Sequence, residues 1–357
     1  MPAAVIRYEA SHLAMGTEFA LVAYGDDPQY LTAVGNEVFE EIDRLEAQLS
    51  KFNPKSEVSV INRTAASGNI CVEPKLFELL LNAVNHSEST GGSFDVTAGP
   101  LMKAWGFFRD KGRVPANSEI AQVLRRVGYR HVRLNRADRT IHFDVEGLEI
   151  DLGAIGKGYA VDRAVDVLRR YGITRALVSS GTSSLYALGT PPGARGWSIS
   201  LRNPYDSERA ANVIYLRNCS LSTSGNYEKF FKVGAKIYAH ILNPTTGKPV
   251  ENMLAAIILA PCARDADALS TAFYVMGVER SREYLATHRE LMALFYLPVG
   301  RDQRFRRVML RSAGSNDIGA FFSRTTDRRR SATRAGSSKI RRRASHSRMS
   351  GNRATAC

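Results

Sequence analysis

Two hydrophobic periods are interleaved along this chain without regular alternation, and that restricts its fold more than any other feature. Val34, Val38, Ile42, Leu45 and Leu49 recur every three or four residues, the mark of one apolar helix face. After Pro74, the residues Leu76, Leu79, Leu80 and Val84 repeat the pattern until Gly91-Gly92, where glycines stop a helix. A third amphipathic stretch should begin near Lys157 and end at Tyr171-Gly172, with Val161, Ala164, Val165 and Leu168 inward. Further helices are expected over about 265–275 and 278–288. Runs of strand length occupy Met15 to Tyr24, closed by Gly25, then 130–135, 140–145, 176–180, 196–201, 211–217 and 291–297. A doubly wound sheet would need strands and helices in strict alternation. These do not alternate, so the expected class is α+β. No internal repeat is visible.

The 357 residues suffice for one large domain or two medium ones, with a sizeable core. A net charge of +14 invites a nucleic-acid reading, but twelve Lys/Arg against two Asp/Glu lie between Arg311 and Cys357. That stretch holds +10, leaving +4 for the preceding 310 residues. It is dominated by Ser, Arg, Ala, Thr and Gly, and cannot offset its ordering entropy by burial. We therefore expect a body over 1–310 and a disordered basic tail over 311–357. The four cysteines, Cys71, Cys219, Cys262 and Cys357, form no CxxC pair, which fits buried free thiols better than a zinc site or disulfide framework. The first residues, MPAAVIRYEASHLAMG, lack the basic segment and long apolar run of a secretion signal. No run of 18 apolar residues is present, so no membrane span is expected.

Several segments carry polar residues suited to chemistry: MGTEF from Met15, SKFNPKSEVSVIN from Ser50, GGSFDVTAGPLMKAWGF from Gly91 and DLGAIGKGYAVD from Asp151. Toward the C-terminus come TSGNYEKFF from Thr223, HILNPTTGKPV from His240 and DADALSTAFYVMG from Asp265. In DLGAIGKGYAVD a strand runs through a small-residue turn into a helix, whose first amides can hold an anion. It is not a Walker A loop, because only two residues separate Gly153 from Gly156. A tight strand-to-helix connection explains the turn equally well. Asp267 and Thr271 lie four apart on one helix face, and a carboxylate with a hydroxyl suits a hard cation such as Mg²⁺. From spacing alone, a capping or solvated acid is the better reading, and Asp265 reads as such an acid. His240 follows an apolar strand, where a lone histidine is more often structural than catalytic.

In order and spacing, these segments together resemble the ApbE family, the FAD:protein FMN transferases, over about Met15 to Pro298. DLGAIGKGYAVD, TSGNYEKFF, HILNPTTGKPV and ADALSTAFYVMG are the most diagnostic. The resemblance implies a single α+β, T-fold-like domain that takes FAD as substrate and Mg²⁺ as cofactor. It implies that the Ala154 carbonyl and the side chains of Asp267 and Thr271 bind the metal, assisted by Ser270. Met15, Phe52, Ser93, Phe94, Asp95, Asp151, Lys157 and Ile241 would line the FAD site, and His240 would act near the acceptor hydroxyl. That hydroxyl belongs, in family acceptors, to a threonine or sometimes a serine of a short flavinylation motif. Attack on the FMN-side phosphorus would give a phosphoester and release AMP.

Some positions depart from the family pattern. Thr182 follows Gly181 where many relatives have a second glycine, Asn243 stands where many have Asp, and Ala239 where many have a second His. The basic tail is not a family feature. Relatives are often exported and membrane-anchored, whereas the absence of a visible leader gives a cytoplasmic expectation here. Two other functions use much the same residues. One is an FAD pyrophosphatase with water as acceptor, giving FMN and AMP. The other is a non-catalytic flavin-binding module whose tail holds nucleic acid through phosphates. The tail's last aromatics are Phe321 and Phe322, so it has no bases-on-rings platform, and no specific nucleic-acid partner is expected.

Overall fold

A computed structural model describes residues 5–107, 112–226, 230–234, 236–300, 303–312 and 319–322. Its centre is one eight-stranded sheet in which every neighbouring pair is antiparallel. The strand order is Ile6–Ala14, Thr17–Gly25, Ala176–Ser180, Ser184–Leu188, Cys219–Gly225, Ala255–Ala260, Met292–Val299 and Arg304–Arg311. Seven helices are found among the described residues: α1 (Pro28–Leu49), α2 (Glu57–Thr64), α3 (Pro74–Ser89), α4 (Gly99–Ala104), α5 (Asn117–Leu124), α6 (Gly156–Arg170) and α7 (Ala263–Thr287). Helices α1, α6 and α7 cover one face of the sheet, and the main core lies between. A small sheet of Trp197–Asn203, Asp206–Leu216 and Ala320–Phe322 covers the other face, enclosing Leu221, Ile257, Leu294 and Tyr296. The α+β class is thus the one observed.

Local signals explain where the helices start and stop. Asp27 accepts the Gln29 and Tyr30 amides at 2.9 and 3.1 Å, with Pro28 in the first turn, so α1 opens capped. It buries Leu31, Val34, Val38, Ile42, Leu45 and Leu49, the face read from the sequence together with one preceding residue. α3 ends before Gly91 and Gly92, both at positive φ. α7 is broken at Gly277, with φ 75° and ψ −177°, which separates the two helices expected there.

Five strands of the central sheet were not expected from sequence, among them Ser184–Leu188 and the wholly buried Ala255–Ala260. Ile6–Ala14 is an edge strand with alternating burial, so half of it is polar. Cys219–Gly225 puts Ser220, Ser222 and Ser224 on its helix side, which breaks the apolar pattern that betrays a strand. Arg304–Arg311 is the opposite edge and carries four arginines. Pairing also continues past position 310. Ala320–Phe322 pairs with Ile214–Leu216, and the Arg217 amide donates to the Gly319 carbonyl at 2.6 Å. The compact unit runs to Ser323. Apart from 311–312 and 319–322, the expected tail lies outside the described residues.

Candidate active site

The first turn of α6 gathers most of the expected residues. Leu152 leads from the loop into the turn 153–155, and the Ile155 and Gly156 amides both donate to the Leu152 carbonyl. Asp151 accepts the Gly153 amide at 2.9 Å through Oδ1, while its Oδ2 is ion-paired to Lys51. Lys157 turns its ammonium back to the Gly153 carbonyl at 3.0 Å. Met15 occupies the left-handed region at φ 52°, in the turn joining the first two strands, and its methyl lies 3.6 Å from where a Cβ on Gly156 would be. Phe52 is 69% exposed beside the Lys51 ammonium, 5.4 Å from its ring centre, and offers an open aromatic face. Lys51, which sequence reasoning passed over, therefore links Phe52 to Asp151.

Asp267 meets this turn from α7. It is only 4% exposed, and its Oδ2 accepts the Gly158 amide at 2.9 Å. In a regular helix that amide would donate to the carbonyl four residues back, that of Ala154. Helix α6 instead begins at Gly156, and the Ala154 carbonyl accepts no hydrogen bond among the described residues. The other oxygen of Asp267 takes only a long bond, 3.3 Å, from the Ser222 hydroxyl. No Lys, Arg or His pairs with Asp267 among the described residues. A buried carboxylate without a countercharge is costly, so this position suits a cation. The capping role read from spacing is real, but the acid is not solvated.

Ser270 and Thr271 continue the same face. Ser224 shares hydrogen bonds with the Ser270 hydroxyl at 2.8 Å and the Thr271 hydroxyl at 3.1 Å. Ser180, Ser184 and Ser222 stand side by side on neighbouring strands, all buried, with Ser184 bonded to Ser222 at 3.0 Å. The Ser180 and Ser183 hydroxyls have no hydrogen-bond partner among the described residues. Among the described residues no three of His, Cys, Asp and Glu come together as a metal site. The available donors are oxygens of one carboxylate, several hydroxyls and a carbonyl. The serine row was hidden in the sequence because its alternation only acquires meaning once strand partners are known.

The segment Ser93–Asp95 is tied into the fold by several contacts. Ser93 and Phe94 are buried, and Phe94 sits edge-on to His86. Asp95 accepts the Thr97 amide and hydroxyl at 2.9 and 2.6 Å and the Tyr129 amide at 3.0 Å. Burial nevertheless raises its carboxyl above the ordinary range. Asp265 is half-buried and paired: it bonds to His86 at 2.9 Å and Arg264 at 3.0 Å. Burial opposes its ionisation, but those two partners outweigh it and hold the carboxyl well below the usual range.

His240 follows the strand Lys236–Ala239, half-buried, with its ring edge-on to Phe107 at 6.4 Å between centres. Ile241 is buried next to it, its carbonyl accepting the Val250 amide at 3.0 Å. A cavity of about 620 Å³ opens along this segment, lined by Trp105, Ile120, Tyr238, Ala239, Lys248 and Met253 among others. Ala239, one of the departures from the family pattern, thus faces open space. Thr182 stands exposed at its turn.

Residues 15–295 match the profile of the ApbE family. A FAD:protein FMN transferase of Treponema pallidum is 32% identical over 320 residues, covering 85% of this chain and 87% of the relative. One from Salmonella typhimurium is 27% identical, covering 79% and 82%. Among solved structures, the ApbE protein of Thermotoga maritima superposes with a TM-score of 0.78 at 29% identity, covering 88% of this chain and 99% of its own. The flavin transferase ApbE of Vibrio cholerae gives 0.75 at 25% identity, covering 89% and 100%. With its segments matched in order over most of its length and its fold shared, the chain belongs to the ApbE family.

Proposed function

We propose that this flavin transferase cleaves FAD in a Mg²⁺-dependent reaction and attaches the FMN half to a threonine or serine hydroxyl of an acceptor protein. The observation that carries this is the buried Asp267 carboxylate, which pairs with no Lys, Arg or His among the described residues and takes the Gly158 amide that a regular helix would direct to the Ala154 carbonyl. Asp267, Thr271 and the Ala154 carbonyl, with Ser270 beside them, would hold Mg²⁺. All are hard oxygen donors, as that ion prefers. When bound, the ion would neutralise the pyrophosphate and ease departure of AMP.

The chain's own groups account for the remainder. The first turn of α6 and Lys157 supply positive potential for phosphate oxygens. Phe52 offers a ring for stacking, and Met15 and Ile241 add apolar contact. His240 would take the proton as the acceptor oxygen bonds to the FMN-side phosphorus and the bond from that phosphorus to the bridging oxygen breaks. The cavity beside Ala239 leaves room for a polypeptide to bring its hydroxyl there. Water in the same position would give FMN and AMP instead.

The test is incubation of the protein with FAD, Mg²⁺ and a protein or peptide bearing a flavinylation threonine. Mass spectrometry should show an FMN adduct on the acceptor, abolished by EDTA. Free FMN and AMP without adduct would assign hydrolysis. Neither product with any divalent ion would refute the reading. Asp267→Asn keeps an oxygen for the Gly158 amide while removing the charge, so it should lose activity yet stay folded.

A further inference from the structure

Helices α6 and α7 exchange carboxylates at their first turns. Asp267 of α7 accepts the Gly158 amide of α6. In return Asp162 of α6 accepts the two leading amides of α7, that of Ala263 at 2.7 Å and that of Arg264 at 2.9 Å. Neither helix has a side-chain cap of its own: Ile155 and Cys262 stand at the N-cap positions and make no capping bond. Each therefore depends on the other for the amides that a helix start leaves unsatisfied. Ala263 and Asp267 are four apart and so share one face of α7. That face meets Gly158, where a Cβ would come within 2.2 Å of the Ala263 carbonyl oxygen and 2.7 Å of the Asp267 Cβ.

We propose that Asp162 is a positioning residue for the cation site: by holding Ala263 and Arg264 it fixes the first turn of α7, and so delivers Asp267 to the Gly158 amide with the Ala154 carbonyl left free. This rests on the magnesium reading above. Both oxygens of Asp162 are used on α7, so it supplies the site through Asp267 rather than by touching a ligand. Burial pushes its carboxyl up to about 6, in spite of the lowering by those amides and by Arg264, with Asp265 pushing the same way as burial. The fold thus keeps a poorly solvated carboxylate where a neutral packing residue would be easier to bury.

The test uses the full chain with FAD bound. Mn²⁺ binding is followed by electron paramagnetic resonance, and the Mg²⁺ dependence of transfer is measured alongside. Asp162→Asn keeps one acceptor oxygen but turns an NH₂ toward the second amide. Groups that hold metal ligands in place are typically worth 10–100-fold in affinity, so Mn²⁺ affinity and the Mg²⁺ midpoint should weaken about tenfold. FAD binding in EDTA and turnover at saturating Mg²⁺ should change little. If Asp162→Asn is too unstable to purify, Asp162→Ser, which can still accept from one amide, is read in the same way. Leu168→Ala, buried further along α6, controls for lost stability: it should lower Tm but leave Mn²⁺ affinity unchanged. An unshifted affinity in the Asp162 variant, or an equal shift in Leu168→Ala, overturns the proposal. A wild-type protein that binds no Mn²⁺ and transfers FMN without a divalent ion overturns instead the magnesium reading beneath it.

Discussion

Gly158→Ala places the α6–α7 contact under the most direct test. On an isolated helix this change is favourable by about 0.8–1.0 kcal/mol, because alanine loses less backbone entropy. Here the new methyl would lie 2.2 Å from the Ala263 carbonyl oxygen, 2.7 Å from its carbon and 2.7 Å from the Asp267 Cβ. Two of these are backbone atoms of a helix start and cannot swing aside, so the helices must separate by about an ångström. Overpacking of this kind costs about 1–3 kcal/mol. Stretching the Gly158–Asp267 hydrogen bond leaves a buried acceptor poorly satisfied, at about 1–3 kcal/mol more. The costs exceed the propensity gain, so we expect net destabilisation of about 1–5 kcal/mol and a Tm lower by several degrees. Gly68→Ala, where a Cβ meets nothing within 4 Å, is the matched control and should be neutral or stabilising. Thermal unfolding in EDTA and the Mg²⁺ midpoint of transfer are the assays. A Gly158→Ala protein as stable as wild type, with an unchanged midpoint, would refute the argument that this contact sets the site.

Three further outcomes are expected. His240→Ala should slow transfer by about 10²–10⁴ while FAD binding stays near wild type; a large loss of FAD affinity, measured by fluorescence titration, would make it a binding residue instead. A chain ending after Ser323 should keep the Tm and peptide-transfer rate of the full chain, whereas one ending at Arg311 loses the strand Ala320–Phe322 and should unfold at lower temperature; equal Tm values would show that this strand adds nothing. Asp162 has a folded pKa of about 6 against an ordinary 3.8, so it favours folding below about pH 4, and that contribution is lost as pH rises through 6. Urea titrations should therefore show wild type losing up to about 3 kcal/mol relative to Asp162→Asn between pH 4 and 7, and a flat difference would rule out burial as the cause of the shift.

Much of the helical framework was legible because the helices carry their own punctuation. The Val34–Leu49 face, the Gly91-Gly92 stop and the Gly277 break are all local signals. Strands at the two edges and in the serine row were not legible, since their side chains obey a sheet partner rather than a hydrophobic alternation. The same division runs through the candidate site. Asp267 and Thr271 could be put on one helix face from spacing, but spacing could not say that the Gly158 amide takes one oxygen of the acid. Lys51 was invisible as a partner of Asp151 because 100 residues separate them. For Asp95, a polar residue in a suggestive motif proved to be engaged with Thr97 and Tyr129, a role only the fold reveals.

The exchange of caps between α6 and α7 also bears on when the site comes into being. The two bonds that define it span 109 and 101 residues. Each closes a long loop, whose entropy must be overcome before the contact repays it. The Gly156 amide finds its partner nearby in the Leu152 carbonyl, but the Gly158, Ala263 and Arg264 amides find theirs only across these loops, so neither helix start is fully satisfied until α6 and α7 meet. On the ribosome, the first turn of α6 is synthesised well before Asp267 leaves the exit tunnel. A chain in which α7 has not docked therefore lacks the Gly158–Asp267 contact, and on the proposed function the cation site would form in one step with the docking of that helix.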